Sequence, residues 1–265
     1  MNLLLVGLDR RPDEQIGRTD TIILARIDLD HHTAGVLSIP RDLVVDIPGF
    51  GRDRVNSAYV YGELYTKAGG METLKATILR NFQVPIDHYA VIDFSCFRGI
   101  VDGVGGVAVD VPTHLIDRAY PTDDYGYKTV EFFPGWQVLD GERALEYART
   151  RHADNDFNRM RRQQQIILAL RERLLRPAAL TAVPSIIRAC WGSRSDLSVA
   201  DIIALGMAAR QIDVQHINTV VLDERVARPF VTAQGADVLL PDWPGIRTRV
   251  AQVFPPLTSA RAASP

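Results

Sequence analysis

Strand-like and helix-like segments alternate through the first part of this chain, and the alternation limits the folds that it can adopt. The strand-like segments are rich in branched aliphatic residues and cover residues 3–8, 21–27, 35–45, 89–94 and 107–111. The helix-like segments carry apolar residues on one face and cover residues 56–65, 71–82 and 95–101. Because an element with one apolar side has to bury that side against another element, this order predicts a sheet covered by helices.

The rest of the chain is predicted to be mostly helical after an irregular segment. Residues 113–136 are polar and aromatic without a clear period, which indicates a long loop or a small accessory sheet. Asp140 is a good N-cap for a helix that ends at Arg149. Further helices are predicted at 157–175, 179–190, 199–210 and 243–254, and a strand at 218–222. We expect a disordered tail over 255–265 and find no linker that would separate domains before it.

Charge and composition exclude some classes of partner. The chain has 30 Lys and Arg residues against 32 Asp and Glu residues, so its net charge of −2 provides no overall field that attracts nucleic acid or an anionic bilayer. It contains no run of about 18 apolar residues, and Met1 leads directly into a strand-like segment. This start fits either a soluble cytoplasmic protein or a domain cut from a longer one. Cys96 and Cys190 match no metal-binding spacing and leave the redox compartment open.

Acidic and basic residues stand at the ends of the first two strand-like segments. Asp9 ends the first segment, and Arg18 and Asp20 lead into the second. Ligands of open α/β sheets bind at strand ends, and Mg²⁺ usually takes one or two carboxylates together with phosphate oxygens and water. Asp9 and Asp20 are therefore candidate metal ligands. Turn residues in ordinary salt bridges would give the same pattern, and this alternative stays open.

Two further arginines lie within or after the next strand-like segment. Arg41 comes directly after Pro40, whose fixed backbone angle stiffens the turn and holds one guanidinium in place. Arg54 precedes a helix, at a position where a cation could close over an anion. For Arg54 taken alone, the sequence favours an ordinary surface charge.

The strongest local pattern lies between residues 149 and 165, where five Arg residues fall within fourteen positions. Arg159 and Gln163 are neighbours on one helix face, and this stripe becomes apolar further along the helix. The first turn of a helix offers unpaired N–H groups, so with Arg159 and Arg162 it would bind an anion. A ligand with a pyrophosphate head and a hydrocarbon tail would fit. An exposed basic face on an ordinary amphipathic helix is the alternative, and His152 receives no catalytic role.

Taken together, these segments resemble the LytR-CpsA-Psr family in both residue identity and order. The segments that carry the resemblance are Gly7-Leu8-Asp9-Arg10-Arg11, Gly17-Arg18-Thr19-Asp20-Thr21, Ser38-Ile39-Pro40-Arg41-Asp42, Arg54-Val55-Asn56-Ser57-Ala58-Tyr59, Val101-Asp102-Gly103-Val104-Gly105-Gly106-Val107, Leu139-Asp140-Gly141-Glu142 and the block from Arg149 to Gln165. The resemblance implies one family domain over residues 1–254. Its motif-bearing core covers about 2–175, and a C-terminal extension covers 176–254.

What the resemblance implies for the fold is an α/β protein with three α-β-α layers. A central mixed β-sheet is covered by helices, with small accessory strands, and the layers enclose a long apolar pocket for a polyprenyl chain. Members of the family look like phosphotransferases that move a glycan phosphate from a polyprenyl-pyrophosphate carrier onto peptidoglycan. The cofactor implied is Mg²⁺, with Mn²⁺ as an alternative.

The resemblance also assigns roles to individual residues of this chain. Asp9, Arg41 and Asp156 are implied to be catalytic, and Asp9 and Asp20 to hold the metal. The implied pyrophosphate ligands are Arg18, Arg41, Arg54, Arg149, Arg151, Arg159 and Gln163. The family commonly has Lys where this chain has Arg54, which keeps the charge but changes the geometry of the donor.

The family resemblance further implies an extracytoplasmic domain held at the cell membrane by a single N-terminal helix that this sequence does not contain. The expected partners are a polyprenyl-pyrophosphate-linked glycan and a peptidoglycan acceptor, without nucleic acid, and the sequence does not indicate an oligomeric state. Three alternatives remain from the sequence. They are a hydrolase of the lipid pyrophosphate, a regulator without catalysis, and a carrier that binds polyprenyl lipids.

Overall fold

The computed structural model describes residues 1–9, 16–122, 124–151, 155–176 and 179–255. Its strands are β1 (Asn2–Asp9), β2 (Arg18–Asp28), β3 (Thr33–Ile39), β4 (Val44–Ile47), β5 (Gly51–Arg54), β6 (His88–Ile92), β7 (Val107–Val111), β8 (Leu115–Pro121), β9 (Tyr127–Phe132), β10 (Gly135–Leu139), β11 (Ile217–Val221), β12 (Ala227–Val231) and β13 (Asp237–Pro241). Its α-helices are α1 (Ser57–Tyr65), α2 (Gly69–Phe82), α3 (Phe94–Gly103), α4 (Gly141–Arg149), α5 (Asp156–Leu174), α6 (Ala179–Ala189), α7 (Val199–Gln211) and α8 (Trp243–Val253).

The central sheet is mixed, as predicted. Its five strands run in the order β11-β3-β2-β1-β6. Strand β11 is parallel to β3, with Ile217 opposite Ala34. Next to β1, Met1 and Ile27 exchange two backbone hydrogen bonds of 2.9 Å each, which is the pattern of antiparallel neighbours. The α/β class with a mixed central sheet is therefore confirmed, and the lipid pocket remains a prediction.

The chain forms two compact units that are discontinuous in sequence. Unit A contains Met1–Leu4, Ile23–Asp87 and the described residues from Ile212 onward, and unit B contains Leu5–Ile22 and His88–Gln211. Strands β1 and β2 each continue from one unit into the other. The predicted C-terminal extension is thus divided, because its residues from Ile212 onward, which include β11, belong to unit A.

In unit A, two helices are fixed on strands, one by a pair of side-chain hydrogen bonds and one by a close approach. The Asn81 side chain on α2 accepts a hydrogen bond from the Asp46 amide (2.9 Å) and donates one to the Asp46 carbonyl (2.8 Å), which fixes α2 on β4. On the other side, a Cβ atom built at Gly35 would lie 2.6 Å from Val253 Cγ1. Glycine therefore allows α8 to pack directly on β3.

Unit B has a core built on the antiparallel strand pair β7 and β10. Val107, Val109 and Val111 are at most 1% exposed, whereas the residues between them are more accessible, which is the alternation of a half-buried strand. Side chains from α4 and α5 cover this face, among them Tyr147 and Ile166. Asp140 accepts a hydrogen bond from the Arg143 amide at 2.8 Å, so the predicted N-cap of α4 is confirmed.

Cys96 and Cys190, which the sequence left unassigned, form a disulfide bond that joins α3 to the residue after α6. The two helices also approach very closely beside it. A Cβ atom built at Gly99 would lie 2.0 Å from Ala189 Cβ, and one at Gly103 would lie 2.9 Å from Ile186 Cγ1. Glycines on α3 therefore allow α6 to pack on it within unit B.

We expect Gly99→Ala to lower the free energy of unfolding by about 1–3 kcal/mol, because the added methyl group overlaps the rigid Ala189 side chain. Gly206→Ala on α7 is the matched control, since a Cβ at Gly206 meets no atom within 4 Å. The control should gain up to about 1 kcal/mol from helix propensity. Urea unfolding of both variants measures the difference, and equal stability of the two would contradict this packing.

The structure corrects one sequence prediction about the fold, decides between two alternatives for another segment and adds a hairpin. Strand β3 ends at Ile39 rather than continuing past Pro40, because Leu43 N–H turns back to the Pro40 carbonyl at 3.1 Å. Of the two alternatives for residues 113–136, the accessory sheet is confirmed, since β8 and β9 form an antiparallel hairpin. The β12–β13 hairpin was not predicted.

Two expectations about the chain as a whole have different outcomes. The tail predicted to be disordered lies outside the described residues except for Pro255. Among the helices that the structure describes, none combines the length and the apolar character needed to span a bilayer.

Candidate functional site

In unit A, two predicted pyrophosphate ligands share one carboxylate. Arg41, in the turn after β3, donates from Nε to Asp42 Oδ2 at 3.3 Å, and Arg54 Nη1 lies 3.6 Å from Asp42 Oδ1. The Arg41 carbonyl accepts a hydrogen bond from the Asn56 amide at 3.2 Å, which ties this turn to the segment that precedes α1. The Asp42 carboxylate therefore holds both guanidinium groups in one place, and we call Arg41, Asp42 and Arg54 the unit A cluster.

In unit B, the two predicted metal ligands lie at one end of a strand pair. A Cβ atom at Gly7 would lie 2.8 Å from Thr21 Cβ, so β1 and β2 approach closely at this point. Asp9 follows Gly7 by two residues, and Asp20 directly precedes Thr21. Asp9 Oδ2 lies 3.5 Å from Arg149 Nη2. Asp9 thus pairs with an arginine from the end of α4, whereas Arg10 and Arg11 of the predicted group lie outside the described residues.

Arg149 is held by aromatic side chains as well as by Asp9. Its Cζ atom lies 4.0 Å from the centroid of the Phe94 ring and 5.3 Å from that of Tyr120, both within the range of cation–π attraction. Arg149 Nη1 also donates to the Tyr120 hydroxyl at 3.3 Å. Burial raises the pKa of Tyr120 although Arg149 opposes the rise, so the phenol stays neutral at physiological pH. The contacts with Phe94 and Tyr120 hold the Arg149 guanidinium beside the Asp9 carboxylate.

Arg159 is buried near the start of α5 and connects the strand end to the helix. Its Nη2 atom donates to the Asp20 carbonyl at 3.1 Å and lies 2.9 Å from Asp156 Oδ1. The Asn155 side chain caps α5 by accepting a hydrogen bond from the Asn158 amide at 2.9 Å. Asp156 therefore orients Arg159. We call Asp9, Asp20, Arg149, Asp156 and Arg159 the unit B cluster.

The remaining predicted residues lie within α5 or on the surface. Gln163 Nε2 donates to the Ala148 carbonyl at 3.3 Å and thus ties α5 to the last turn of α4. Arg18 and Arg151 are exposed, and the Arg151 amide donates to Asp117 Oδ2 at 3.3 Å. No interaction of Arg18 with either cluster is described. Arg10, Arg11 and His152 lie outside the described residues.

The position of Arg162 differs from the one that the sequence predicted. Its predicted contribution to an anion site is wrong, because the side chain is 7% exposed and points at the C-terminal end of α4. Nε donates to the Tyr147 carbonyl at 3.0 Å, and Nη2 donates to the Thr150 carbonyl. These carbonyls end a helix and carry its negative potential, which a buried guanidinium neutralises.

Four residues that order the two clusters were missed by sequence reasoning. Asp42 directly follows Arg41 in the sequence, and the pairing of the two side chains could have been inferred from that adjacency. The positions of the other three could not be inferred from the sequence. Phe94 was assigned to a strand, and Asp117 and Tyr120 lie in the segment without a clear period. Asp117 is 1% exposed and accepts hydrogen bonds from the Ala119 and Arg151 amides, so it shapes the bulge in β8.

The residues present fit a site for Mg²⁺ that is completed by a phosphate-bearing ligand. The Asp9 side chain is 33% exposed and offers hard carboxylate oxygens. No group of three or more His, Cys, Asp or Glu side chains arranged to hold a metal occurs among the residues that the structure describes. Mg²⁺ is usually held by one or two carboxylates plus phosphate oxygens and water rather than by a cage of side chains. Asp9 and Asp20 are the residues that would hold it.

Comparison with known proteins gives a family and a fold. The model of the LytR_cpsA_psr family matches residues 1–242. The polyisoprenyl-teichoic acid–peptidoglycan teichoic acid transferase TagV of Bacillus subtilis is 32% identical over 225 residues, which cover 82% of this chain and 56% of TagV. The corresponding transferase TagU of Oceanobacillus iheyensis is 37% identical over 64% of this chain and 50% of TagU. The chain thus spans about half the length of these curated relatives.

Solved structures give the same result. The crystal structure of B. subtilis TagV superposes with a TM-score of 0.76 at 26% identity, and the alignment covers 96% of each chain. The structure of TagT bound to LI-WTA superposes with a TM-score of 0.74 at 26% identity, covering 95% of this chain and 89% of TagT.

Proposed function

This chain belongs to the LytR-CpsA-Psr family, and we propose that it is a phosphotransferase that moves a glycan phosphate from a polyprenyl-pyrophosphate carrier onto peptidoglycan. One observation carries the proposal. Asp9, a candidate proton acceptor and metal ligand, lies 3.5 Å from Arg149, whose guanidinium is fixed by two aromatic rings. The names of TagV and TagU as teichoic acid transferases support the proposed class of reaction.

The clusters suit phosphoryl transfer because that reaction depends on positioning and on neutralising charge rather than on covalent chemistry by the protein. In the proposed reaction the oxygen of a peptidoglycan hydroxyl attacks the glycan-bound phosphorus. The bond from this phosphorus to the bridging oxygen breaks, and polyprenyl phosphate leaves. Guanidinium groups in fixed positions stabilise the charge that develops on the phosphate oxygens.

Each residue has a proposed function in this reaction. Arg41 and Arg54 in unit A, and Arg149, Arg159 and Gln163 in unit B, bind phosphate oxygens or position the groups that do so. The Asp9 carboxylate accepts the proton of the attacking hydroxyl. Asp156 positions Arg159. Mg²⁺, when bound by Asp9 and Asp20, would neutralise negative charge on the pyrophosphate.

The disulfide supports an extracytoplasmic location for the domain. Disulfide bonds persist in oxidising compartments and are rare in the cytosol, and Cys96 is bonded to Cys190. We therefore propose that the domain acts at the outer face of the cell membrane, where peptidoglycan is accessible to it.

The test is turnover of a polyprenyl-pyrophosphate-linked sugar by the parent and by Arg41→Ala, with Mg²⁺ or with a chelator. We expect release of polyprenyl phosphate that requires Mg²⁺ and falls about 100-fold or more in the variant, because a fixed charge at the phosphate is lost. Arg52→Ala, which removes an exposed arginine of β5, is the control and should keep parental turnover. Lipid binding without turnover under any condition would leave a carrier or a regulator.

The same assay separates a transferase from a hydrolase. For a transferase, product analysis should show sugar phosphate attached to added peptidoglycan. If the sugar phosphate is released into water at the same rate with and without peptidoglycan, water is the acceptor and the protein is a hydrolase.

A further inference from the structure

Unit A carries three aromatic side chains that contact one another and remain accessible to solvent. The ring centroids of Phe50 and Tyr61 are 5.1 Å apart with an interplanar angle of 29°, and Tyr65 lies 6.2 Å from Phe50 and 6.3 Å from Tyr61. Phe50 is 36% exposed and Tyr65 is 70% exposed. We call these three residues the aromatic platform. Large side chains of this kind normally lose their water-accessible area on folding, so a contiguous exposed group indicates a binding surface.

The backbone places Phe50 on this surface through a tight turn that is flanked by glycines. The turn between β4 and β5 has Gly49 at φ 83° and Gly51 at φ 81°, in the left-handed region that favours glycine. Cβ atoms at these two positions would meet nothing within 4 Å, so the backbone angles rather than crowding require glycine here. The Phe50 amide closes the turn on the Ile47 carbonyl at 2.9 Å. The turn therefore points one aromatic residue at α1, on which Tyr61 and Tyr65 lie one turn apart.

Polar groups border the aromatic platform and continue to the unit A cluster. Tyr61 Oη donates to the Asp53 carboxylate, and this hydrogen bond raises the pKa of Tyr61. The Asp53 carboxylate also accepts from the Arg54 amide at 2.7 Å, and Arg54 pairs with Asp42. Within unit A, a continuous set of contacts thus runs from the exposed rings to two predicted phosphate ligands.

We propose that the aromatic platform binds a pyranose unit of a glycan whose phosphoryl chemistry takes place at the neighbouring arginines. The flat C–H face of a β-linked pyranose matches an aromatic ring, whereas its hydroxyl groups need donors and acceptors at the ring's edge. Phe50, Tyr61 and Tyr65 supply the faces, and Asp53 and Arg54 supply the polar edge. A purely apolar partner would remove water from these charged groups and offer them no hydrogen bond in return.

The inference rests on the proposed function only for the source of the sugar. Two sources share this chemistry, the peptidoglycan acceptor and the glycan of the lipid-linked donor. Sugar binding itself requires no turnover, so it is tested first with a soluble uncharged probe, the tetramer of β-1,4-linked N-acetylglucosamine. Saturation-transfer NMR measures which sugar protons contact the protein and gives relative affinities.

We expect the parent to saturate the protons on one face of the pyranose ring. Tyr65→Ala and Phe50→Leu should weaken binding about tenfold or more, which corresponds to about 1.4 kcal/mol. Tyr65→Phe keeps the ring and should bind like the parent. Tyr127→Ala is the matched control, because Tyr127 on β9 is 72% exposed and lies in unit B. Thermal unfolding of each variant verifies that the exposed substitutions leave the fold intact.

Several results would overturn the proposal. They are absence of saturation in the parent, loss of binding in Tyr127→Ala equal to that in Tyr65→Ala, and parental affinity in both Tyr65→Ala and Phe50→Leu. Retained affinity in Phe50→Leu with loss in Tyr65→Phe would also overturn it, since hydroxyl contacts and apolar bulk rather than ring faces would then bind the sugar.

The kinetics of transfer by the Tyr65→Ala variant show which substrate supplies the sugar. A higher acceptor concentration for half-maximal transfer, with unchanged dependence on the lipid-linked substrate, identifies peptidoglycan. The reverse identifies the donor glycan. If no condition gives turnover but the tetramer still binds through the aromatic platform, the proposed function fails while the sugar site stands.

Discussion

Asp9→Asn should reduce turnover of the lipid-linked substrate by about 100- to 1,000-fold, the range found when one electrostatic contact to the reacting groups is removed. The amide keeps the shape of the carboxylate but cannot accept the proton of the attacking hydroxyl. It is also a poorer ligand for Mg²⁺, which prefers anionic oxygen. Because Arg149 loses its carboxylate partner at 3.5 Å, its guanidinium becomes more available to phosphate. We therefore expect KM for the lipid substrate to stay unchanged or fall while kcat falls.

The control for this prediction is Asp30→Asn, which removes the same charge from an exposed position in the turn between β2 and β3. It should keep parental kcat and KM. Steady-state kinetics over a range of Mg²⁺ concentrations measures both variants, and urea unfolding shows whether Asp9→Asn remains folded. If kcat of a folded Asp9→Asn protein lies within a few-fold of the parent, Asp9 is neither the proton acceptor nor an essential metal ligand.

Sequence reasoning was most useful where charged side chains stand at the ends of strands. Asp9 and Arg149 are 140 residues apart. Each was singled out by its own pattern, although their pairing was not predicted. Strand ends collect polar side chains, and an Arg block at the junction of two helices favours anions. Neither pattern requires knowledge of packing. The same holds for Asp140, because an N-cap is a local hydrogen bond that composition can predict.

What sequence reasoning missed depends on contacts between distant segments. Arg162 shares its helix and its charge with Arg159, but packing turns it towards the carbonyls at the end of α4. Phe94 and Tyr120 become part of the site only because the β8–β9 hairpin and α3 both approach Arg149. Short strands such as β12 and β13 have little periodicity of their own and are stabilised by pairing with each other.

Removing the Cys96–Cys190 disulfide should have the largest effect on stability. The bond links residues separated by 94 positions, so it restricts a long loop in the unfolded chain. The chain-entropy model gives somewhat under 5 kcal/mol for a loop of about 100 residues, and removal of a native disulfide typically costs about 2–5 kcal/mol. We expect the variant with Cys96→Ala and Cys190→Ala to unfold at a correspondingly lower urea concentration. Reductant should destabilise the parent and leave the double variant unchanged.

The loss should also be local, because the disulfide lies directly after α6, beside the place where this helix packs on α3. Val183 and Ile187 are 36% and 39% exposed, and α6 packs on α3 through Gly99 and Gly103 beside the disulfide. Without the bond, amide exchange should accelerate in α6 before it does in β7, which is buried in the unit B core. Uniform acceleration in both elements would mean that the disulfide stabilises unit B as a whole.

This dependence links the stability of the domain to its compartment. A domain that needs the disulfide for several kcal/mol of stability would be marginal in a reducing cytosol, since whole domains are stabilised by only about 5–15 kcal/mol. We therefore expect protein exported to an oxidising compartment to have the bond and the parental urea midpoint. Protein made in a reducing cytosol should match the double alanine variant until it is oxidised. Equal midpoints for reduced and oxidised protein would remove the disulfide as support for an extracytoplasmic location and would leave that location to rest on the proposed acceptor.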